Sequence, residues 1–365
     1  MKILFCGGGT FGHIAPALAT AAALKKRFPD TEILFVGRKG GAENESVRRA
    51  GYNVNELAIQ SVSKAINVKN IRALLQMLRA CSEARRLLQT LTPDIVFGTG
   101  GYVCFPLMRA AQAKGIPTVL HESNAVPGRA CRMLASKCNK VLLGTRDCAG
   151  ALPRQTPCEF TGNPVREEFY QYTKERARKI LGIPQGTKLL LSFGGSGGAQ
   201  CLNDAMLAFM TRKDPKKDNI YHVHVIGKKY YTEIVKRYPS LASRNSRCRI
   251  YPFIENMPLY MWGADLCVCR SGAMTLAELA VAELPAILVP SPNVTENHQY
   301  KNALSLAQAG GACIVEEKEI SQLEQKIIDL LSDSPRLASM RNAISNYGEK
   351  DAADRIVDSI RSILP

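Results

Sequence analysis

Short apolar runs, each closed by glycine or a polar turn and each followed by a stretch of helical character, recur along the chain. In the first half, Lys2–Cys6 is closed by Gly7-Gly8-Gly9, and Ala15–Arg27 reads as a helix. Glu32–Val36 follows, with a polar helix running to about Arg49, and Asp94–Phe97, Thr118–Leu120 and Lys140–Leu143 repeat the theme. The second half restarts the pattern at Lys188–Phe193, which ends in Gly194-Gly195-Ser196-Gly197-Gly198, and continues through Tyr221–Ile226, Arg249–Phe253, Asp265–Val268 and Ala286–Val289. Strands alternating with helices imply parallel sheets with right-handed crossovers. Gly162-Asn163-Pro164 is the best break between the halves, because Gly and Pro punctuate there and a charged helix follows. The expectation is an α/β protein of two doubly wound, Rossmann-like domains, 1–163 and 164–347, with parallel sheets facing a central cleft. Ligands of such sheets bind beyond the carboxyl ends of the strands.

Three glycine loops follow apolar strands: Gly7–Gly12, Gly98–Gly101 and Gly194–Gly198. Glycine there lets backbone N–H groups approach an anion at a helix N-terminus. Gly7, Gly9 and Gly12 also fit the GxGxxG dinucleotide pattern. A NAD site wants an acid at the end of the second strand, which here reads Phe35-Val36-Gly37-Arg38; Arg38 leaves NADP open, beside a chance match. His13 opens the next helix, where a helix N-terminus favours the neutral imidazole. It is a candidate proton acceptor, and a packing role is the competing reading.

Cys269-Arg270-Ser271-Gly272-Ala273-Met274-Thr275-Leu276-Ala277-Glu278 is the most informative stretch. Ser271 is placed to cap a helix, and the N–H groups of Gly272 to Thr275 then face an anion such as a diphosphate. Glu278 lies one turn beyond Thr275, where a carboxylate can accept from both hydroxyls of a ribose. Arg270 is a candidate for neutralising a leaving diphosphate. Downstream, Thr295–Asn302 opens another helix, and the Gln299 amide suits sugar hydroxyls.

Composition narrows this further. Hydrophobic residues make up 46% and charged residues 22% of the 365, an ordinary globular balance. No stretch reaches the roughly 18 apolar residues of a membrane-spanning helix, and no secretory leader is evident. The twelve cysteines include no CxxC pair, so free thiols are expected rather than disulfides or zinc. The net charge is +16 and it is lopsided: residues 1–165 hold 22 Lys+Arg against 10 Asp+Glu, and the remainder 26 against 22. An anionic partner for the first half follows: nucleic acid, anionic membrane or a phosphorylated substrate. Lys64–Gln89 interleaves Ile71, Leu74, Leu75, Leu78, Leu87 and Leu88 with Lys64, Lys69, Arg72, Arg79, Arg85 and Arg86, which suits an anionic bilayer. A surface helix with its stripe on the core is the alternative.

The chain resembles the MurG-type bacterial peptidoglycan N-acetylglucosaminyltransferases, which convert lipid I to lipid II. The resemblance runs nearly end to end, on GGGTFGH (Gly7–His13), GTGGY (Gly98–Tyr102), HESN (His121–Asn124), GNPVR (Gly162–Arg166), GGSGGA (Gly194–Ala199), FIENM (Phe253–Met257), CRSGAMTLAE (Cys269–Glu278) and ENHQYKNA (Glu296–Ala303). It implies an inverting GT-B glycosyltransferase using UDP-N-acetylglucosamine, with no cofactor. In that family's pattern Ile254 and Arg166 flank the uracil, Ser196 touches the diphosphate, and Ala273, Met274 and Thr275 supply the helix N-terminus. Glu278 takes the ribose hydroxyls, and Gln299 and Asn124 contact the sugar. Thr10, Phe11 and Gly12 lie against the donor. His13 is the candidate base for the acceptor's 4-hydroxyl, with Glu122 next, and Tyr102 lies near the acceptor. The last segment, 348–365, is expected to return to the first domain.

The family usually has glycine at Phe11, a longer amide at Ser123, and Gln or Leu at Gly197. No Asp-x-Asp occurs in the chain, so metal-independent transfer is expected, with the helix dipole and Arg270 acting on the diphosphate. The acceptor implied is undecaprenyl-pyrophosphoryl-muramyl-pentapeptide, met at the cytoplasmic face of the bacterial inner membrane by peripheral attachment. Two other functions compete. A UDP-N-acetylglucosamine 2-epimerase-like isomerase shares the fold, but the GTGGY and HESN motifs and the basic apolar segment favour transfer. A nucleic-acid binder has no recognised motif to support it, so no nucleic-acid partner is expected.

Overall fold

The computed structural model describes residues 1–9, 11–59, 68–212, 219–243 and 247–364; in the helix Val68–Leu91 side chains are described from Met77 onward. The chain divides into two compact units, Met1–Glu167 with Glu349–Pro365, and Glu168–Gly348.

The first unit is built on a parallel sheet of β1 (Lys2–Cys6), β2 (Glu32–Arg38), β3 (Asn53–Leu57), β4 (Ile95–Gly98), β5 (Thr118–Glu122), β6 (Lys140–Leu143) and β7 (Cys158–Phe160), in the order β3-β2-β1-β4-β5-β6-β7. The second carries β8 (Lys188–Phe193), β9 (Ile220–Val225), β10 (Cys248–Tyr251), β11 (Leu266–Cys269), β12 (Ala286–Leu288) and β13 (Ala312–Ile314), in the order β10-β9-β8-β11-β12-β13. Both sheets are parallel throughout, as the alternation of strand and helix requires. The pattern of apolar runs missed β3, β7 and β13. All three are sheet edges, two of them three residues long, with side chains partly exposed. An edge strand covered on one side has no need of a continuous apolar run, so the signal that marks a buried strand is absent.

Alternate residues of each strand feed opposite faces. In the first unit, Leu4, Cys6, Val96, Leu120 and Val141 pack with Leu107, Met108, Ala84 and Leu88 on one face. Ile3, Phe5, Phe35, Phe97 and Val119 pack with Ile14, Ala17 and Leu24 on the other. The helix Ala352–Arg361 completes that second face, with Ile356, Val357 and Ile360 fully buried. Arg27 ties it to the helix Phe11–Arg27 through Asp358 at 2.7 Å. Gly162, at φ +81, gives the returning chain its space, since a side chain there would meet Glu349 Cβ at 2.5 Å.

Each sheet reverses its strand order once, between β1 and β4 and between β8 and β11. At such a switch point, consecutive connections leave in opposite directions and open a crevice at the carboxyl ends. Cys6 pairs in register with Gly98, and Cys269 with Phe193, so the glycine loops that follow lie side by side.

At the opposite end of the second sheet, Asp265 anchors the entry to β11. Lys174 reaches it at 2.6 Å, Arg178 at 2.9 Å and the Leu189 N–H at 2.8 Å. Burial opposes its charge, but Lys174, the Leu189 N–H and Arg178 outweigh burial and hold the carboxyl below its usual range. Asp265→Ala leaves two largely buried cations without their anion and should cost about 3–5 kcal/mol in urea unfolding. Because its folded pKa is depressed, the Asp265 contribution is present above about pH 4 and is lost as pH falls through the folded value. The variant should therefore lose that portion of the wild-type acid slope.

Candidate functional site

At the first unit's switch point, three segments close on one another. His13, two residues into its helix, is half-buried and bonds Thr99 O through Nδ1 at 3.0 Å. A carbonyl only accepts, so Nδ1 carries a proton, and in the neutral ring the lone pair lies on Nε2. Thr99 Oγ1 donates back to the His13 carbonyl at 2.6 Å. The ring lies on Gly100 and Gly101, both at positive φ, and a side chain on Gly101 would strike Gly8 O at 2.2 Å. Gly9, at φ +92, accommodates the Tyr102 ring in the same way. Burial pushes the Tyr102 phenol up, with Arg38 acting against it.

The Gly9 N–H donates to Glu43 Oε1 at 2.8 Å, and Glu43 is buried. An N–H that a dinucleotide phosphate would want is thus spent on an internal carboxylate. This removes the simplest form of the dehydrogenase reading.

Glu122 ends β5 two residues beyond the point where Leu120 pairs with Gly98. Its Oε1 accepts from the Asn124 N–H and the Asn124 amide, both at 3.0 Å, and its Oε2 from the Gly128 N–H at 2.9 Å. Glu122 therefore holds the 122–128 turn and orients Asn124. His121 bonds Gly162 O through Nε2 at 3.1 Å, and Asn163 Nδ2 donates to Ser123 O at 3.0 Å. Burial lowers the His121 pKa. The HESN and GNPVR segments are thereby knitted together, which neither segment reveals alone.

At the second unit's switch point, the Gly194–Gly198 loop, with Ser196 exposed, stands beside the start of the helix Ala273–Val281. The N-cap is Gly272, which has no side chain to bond the first N–H groups. Ser271 does not cap the helix as expected. It is buried, its hydroxyl donates to Gln299 O at 2.8 Å, and its carbonyl accepts from Asn302 Nδ2 at 3.3 Å. Those bonds hold the helix His298–Gln308 against the end of β11. Gln299 Oε1 accepts from the Ser291 N–H at 2.9 Å, which leaves the amide's NH₂ end to donate. Glu296 and Asn297 just before it both adopt left-handed φ, of 57° and 53°, a strained conformation for non-glycine residues. Glu278 is half-buried one turn into its helix.

Arg270, a candidate for the leaving diphosphate, has partners of its own in this structure. Its guanidinium donates to Val289 O at 3.0 Å and Pro290 O at 3.2 Å and pairs with Glu317. Ile254 is buried between exposed Phe253 and Glu255. Arg166 belongs to the first unit and Ile254 to the second. Thr10 lies outside the described residues. Phe11 and Gly12 open their helix exposed, Phe11 at 39%. The second unit thus groups Ser196, Ala273, Met274, Thr275, Glu278 and Gln299 at one carboxyl edge, and the first groups His13, Tyr102, Glu122 and Asn124.

Residues 3–143 match the Glycosyltransferase family 28 N-terminal domain and residues 189–356 the Glycosyltransferase family 28 C-terminal domain. The chain is 36% identical, over its whole length and 98% of the relative's, to the UDP-N-acetylglucosamine--N-acetylmuramyl-(pentapeptide) pyrophosphoryl-undecaprenol N-acetylglucosamine transferase of Acetivibrio thermocellus. The crystal structure of Acinetobacter baumannii MurG aligns over 99% of both chains, with a TM-score of 0.75 at 26% identity. The chain belongs to the MurG family of glycosyltransferases. A putative UDP-N-acetylglucosamine 2-epimerase from Listeria monocytogenes aligns over 99% of this chain and 96% of its own, with a TM-score of 0.69 at 14% identity, a likeness of fold alone.

Within this MurG-type chain, two further residues shape the first unit's loops: Glu43, outside every quoted motif, and Thr99, inside GTGGY but given no role by it. Glu43 and Thr99 fix the first two glycine loops, but Glu43 lies 34 residues from Gly9 and only the sheet register joins them. Gly197, which departs from the family pattern, is not held at positive φ, and a Cβ there would meet nothing within 4 Å, so that position accepts other residues. Gly101→Ala, by contrast, should push Gly8 and His13 apart, lower stability by about 1–3 kcal/mol, and reduce UDP release with acceptor more than a hundredfold. Gly197→Ala should match wild type within twofold in the same assay.

Proposed function

We propose that the chain transfers N-acetylglucosamine from UDP-N-acetylglucosamine to the 4-hydroxyl of the muramyl sugar of lipid I, with inversion, giving lipid II. The observation that carries this is the full-length 36% identity to a transferase of that name, with the motifs GGGTFGH, GTGGY, GGSGGA and CRSGAMTLAE at the two switch points. His13 is the base: its Nδ1 proton is held by Thr99, so Nε2 takes the proton as the acceptor oxygen attacks the anomeric carbon. Glu122 orients Asn124, accepting from its N–H and amide through Oε1 and from the Gly128 N–H through Oε2, and it is the second candidate for that proton. Tyr102 borders the acceptor.

The donor is held by the second unit. Ser196 and the N–H groups of Ala273, Met274 and Thr275 take the diphosphate with Arg270 beside them, Glu278 the ribose, Gln299 the sugar and Ile254 the uracil; by the resemblance, Asn124, Arg166, Thr10, Phe11 and Gly12 are the further donor-binding candidates. UDP leaves with its added charge stabilised by the helix N-terminus. Transfer needs no divalent metal on this reading, since the chain contains no Asp-x-Asp and the helix dipole does that work.

The assay is UDP release from UDP-N-acetylglucosamine and a soluble lipid I analogue. Turnover should persist in EDTA, and His13→Ala should lower it roughly a hundredfold or more with UDP affinity unchanged. Glu278→Ala should weaken UDP binding instead, by the worth of about 2–3 kcal/mol. Absence of turnover in wild type sinks the assignment, and EDTA inhibition reversed by magnesium sinks its metal-independent form.

The enzyme would attach peripherally to the cytoplasmic face of the inner membrane, through its first unit. No described helix is long and apolar enough to cross a membrane. Within Lys64–Gln89, residues 64–67 and the side chains of 68–76 lie outside the described residues. Beyond them, Ala80, Ala84 and Leu88 face the core with Leu87 packed beside them, so that part of the apolar stripe is interior. What faces solvent is Leu78, at 61% exposure, with Arg79, Arg85 and Arg86. Each cation near an anionic surface contributes about 1 kcal/mol, screened by salt. Binding to anionic vesicles should therefore fall with added salt, and replacing the three arginines with Gln should weaken it while leaving turnover of a soluble acceptor intact. A wild type that ignores such vesicles at low salt would refute the attachment.

A further inference from the structure

A chain of buried polar groups crosses the second unit beneath the Gly194–Gly198 loop. Ser192 on β8 faces His224 on β9 in direct register, with His222 two residues earlier on the same face. Ser192 Oγ lies 2.7 Å from His222 Nε2 and 2.8 Å from His224 Nδ1. His224 Nε2 lies 3.1 Å from Asn203 Oδ1, and Asn203 Nδ2 donates to Ile226 O at 3.0 Å. All four side chains are fully buried.

The last bond fixes the sense of the others. With its NH₂ given to Ile226 O, Asn203 presents Oδ1, which only accepts, so His224 donates through Nε2. In the neutral ring Nδ1 then accepts the Ser192 hydroxyl proton at 2.8 Å, and the Ser192 carbonyl, 3.2 Å from the same nitrogen, makes no bond to it in this tautomer because it too only accepts. Ser192 in turn accepts from His222 Nε2–H at 2.7 Å. Burial pushes the His224 pKa down to about 4, which keeps the ring neutral and this arrangement in place at neutral pH.

The carbonyl at the end of the chain is where the loop turns. Gly198, at φ +72, passes so close that a side chain would meet Ile226 O at 2.3 Å. Gly227, at φ +92, passes Gly198 with only 2.9 Å from its missing side-chain position to the Gly198 backbone. The Gly198 N–H in turn closes the loop on Gly195 O at 3.0 Å, across Ser196. Ile226 O therefore sits where a small displacement moves the Ser196 loop, and Asn203 holds it.

We propose that Asn203 and His224 are positioning residues that set the shape of the Ser196 loop for the donor diphosphate; this rests on the donor reading of that loop. A buried polar chain is costly unless every member is satisfied, and here each partner depends on the next. Packing alone would be met by apolar side chains in the same sheet.

UDP affinity by calorimetry and Michaelis constants for both substrates test this. Asn203→Asp keeps the acceptor for His224 but turns a second oxygen toward Ile226 O. His224→Leu leaves Asn203 Oδ1 without its donor, whereas His224→Gln can supply an amide N–H near the Nε2 position. Asn203→Asp and His224→Leu should weaken UDP binding about tenfold and raise the donor KM to match, with the acceptor KM unchanged. His224→Gln should stay within about threefold of wild type. Unchanged UDP affinity in both disruptive variants overturns the proposal, as does equal loss in His224→Gln and His224→Leu. If Asn203→Asp does not fold, the His224 pair decides alone. Wild-type protein that fails to bind UDP at all refutes the donor reading rather than the positioning.

Discussion

Backbone must meet backbone at the two switch points for either site to exist. In the first unit the Gly101 chain passes against the Gly8 carbonyl; in the second, Gly198 passes against Ile226 and Gly227. A single Cβ at Gly101 or Gly198 would intrude to 2.2 or 2.3 Å, and both residues hold positive φ. Parallel strands in register bring the loops to the same level, and glycine lets them touch. Everything else at the sites hangs from this: His13 lies on Gly100 and Gly101, Tyr102 on Gly9, and Ser196 rides the loop closed by Gly198.

Charge at the sites is mostly spent internally. Glu43 is held by the Gly9 N–H, Glu122 by Asn124 and Gly128, and Arg270 by Glu317 and two carbonyls. These groups shape loops, and their bonds are satisfied before any ligand arrives. The groups proposed to meet ligand are weaker but oriented: the N–H groups at the head of Ala273–Val281, a histidine whose Nδ1 proton is held by Thr99, and an amide whose oxygen is held by the Ser291 N–H. A preorganised site of this kind stabilises developing charge without having to reorganise during reaction. Polar chains behind it, such as Ser192–His224–Asn203, belong to the same preorganisation.

Motifs name the candidate residues, and the structure adds the bonds that some of them already make. Ser271 was legible as a polar residue before a helix, yet its hydroxyl turns to Gln299 O because the helix His298–Gln308 packs alongside. Arg270 was legible as a cation beside an anion site, but its partner Glu317 lies 47 residues on and comes from the connection after β13, a strand the apolar pattern does not mark. The stripe at Leu87 and Leu88 read equally well as membrane-facing or core-facing, since helical periodicity is the same for both; Ala80 and Ala84 on that face meet the sheet and decide it.

The sequence by itself determined the two doubly wound halves, the glycine loops and the family, because each is written locally. A buried parallel strand needs an apolar run, a tight loop needs glycine, and a helix start needs its own spacing. Only the tertiary structure decided which loops face each other, which strand edges close the sheets, and which polar groups are already taken. Those outcomes depend on register between segments far apart in the chain, as Glu43 with Gly9 and Asn203 with Ile226 show, and pairing at such distances leaves no local periodicity to read.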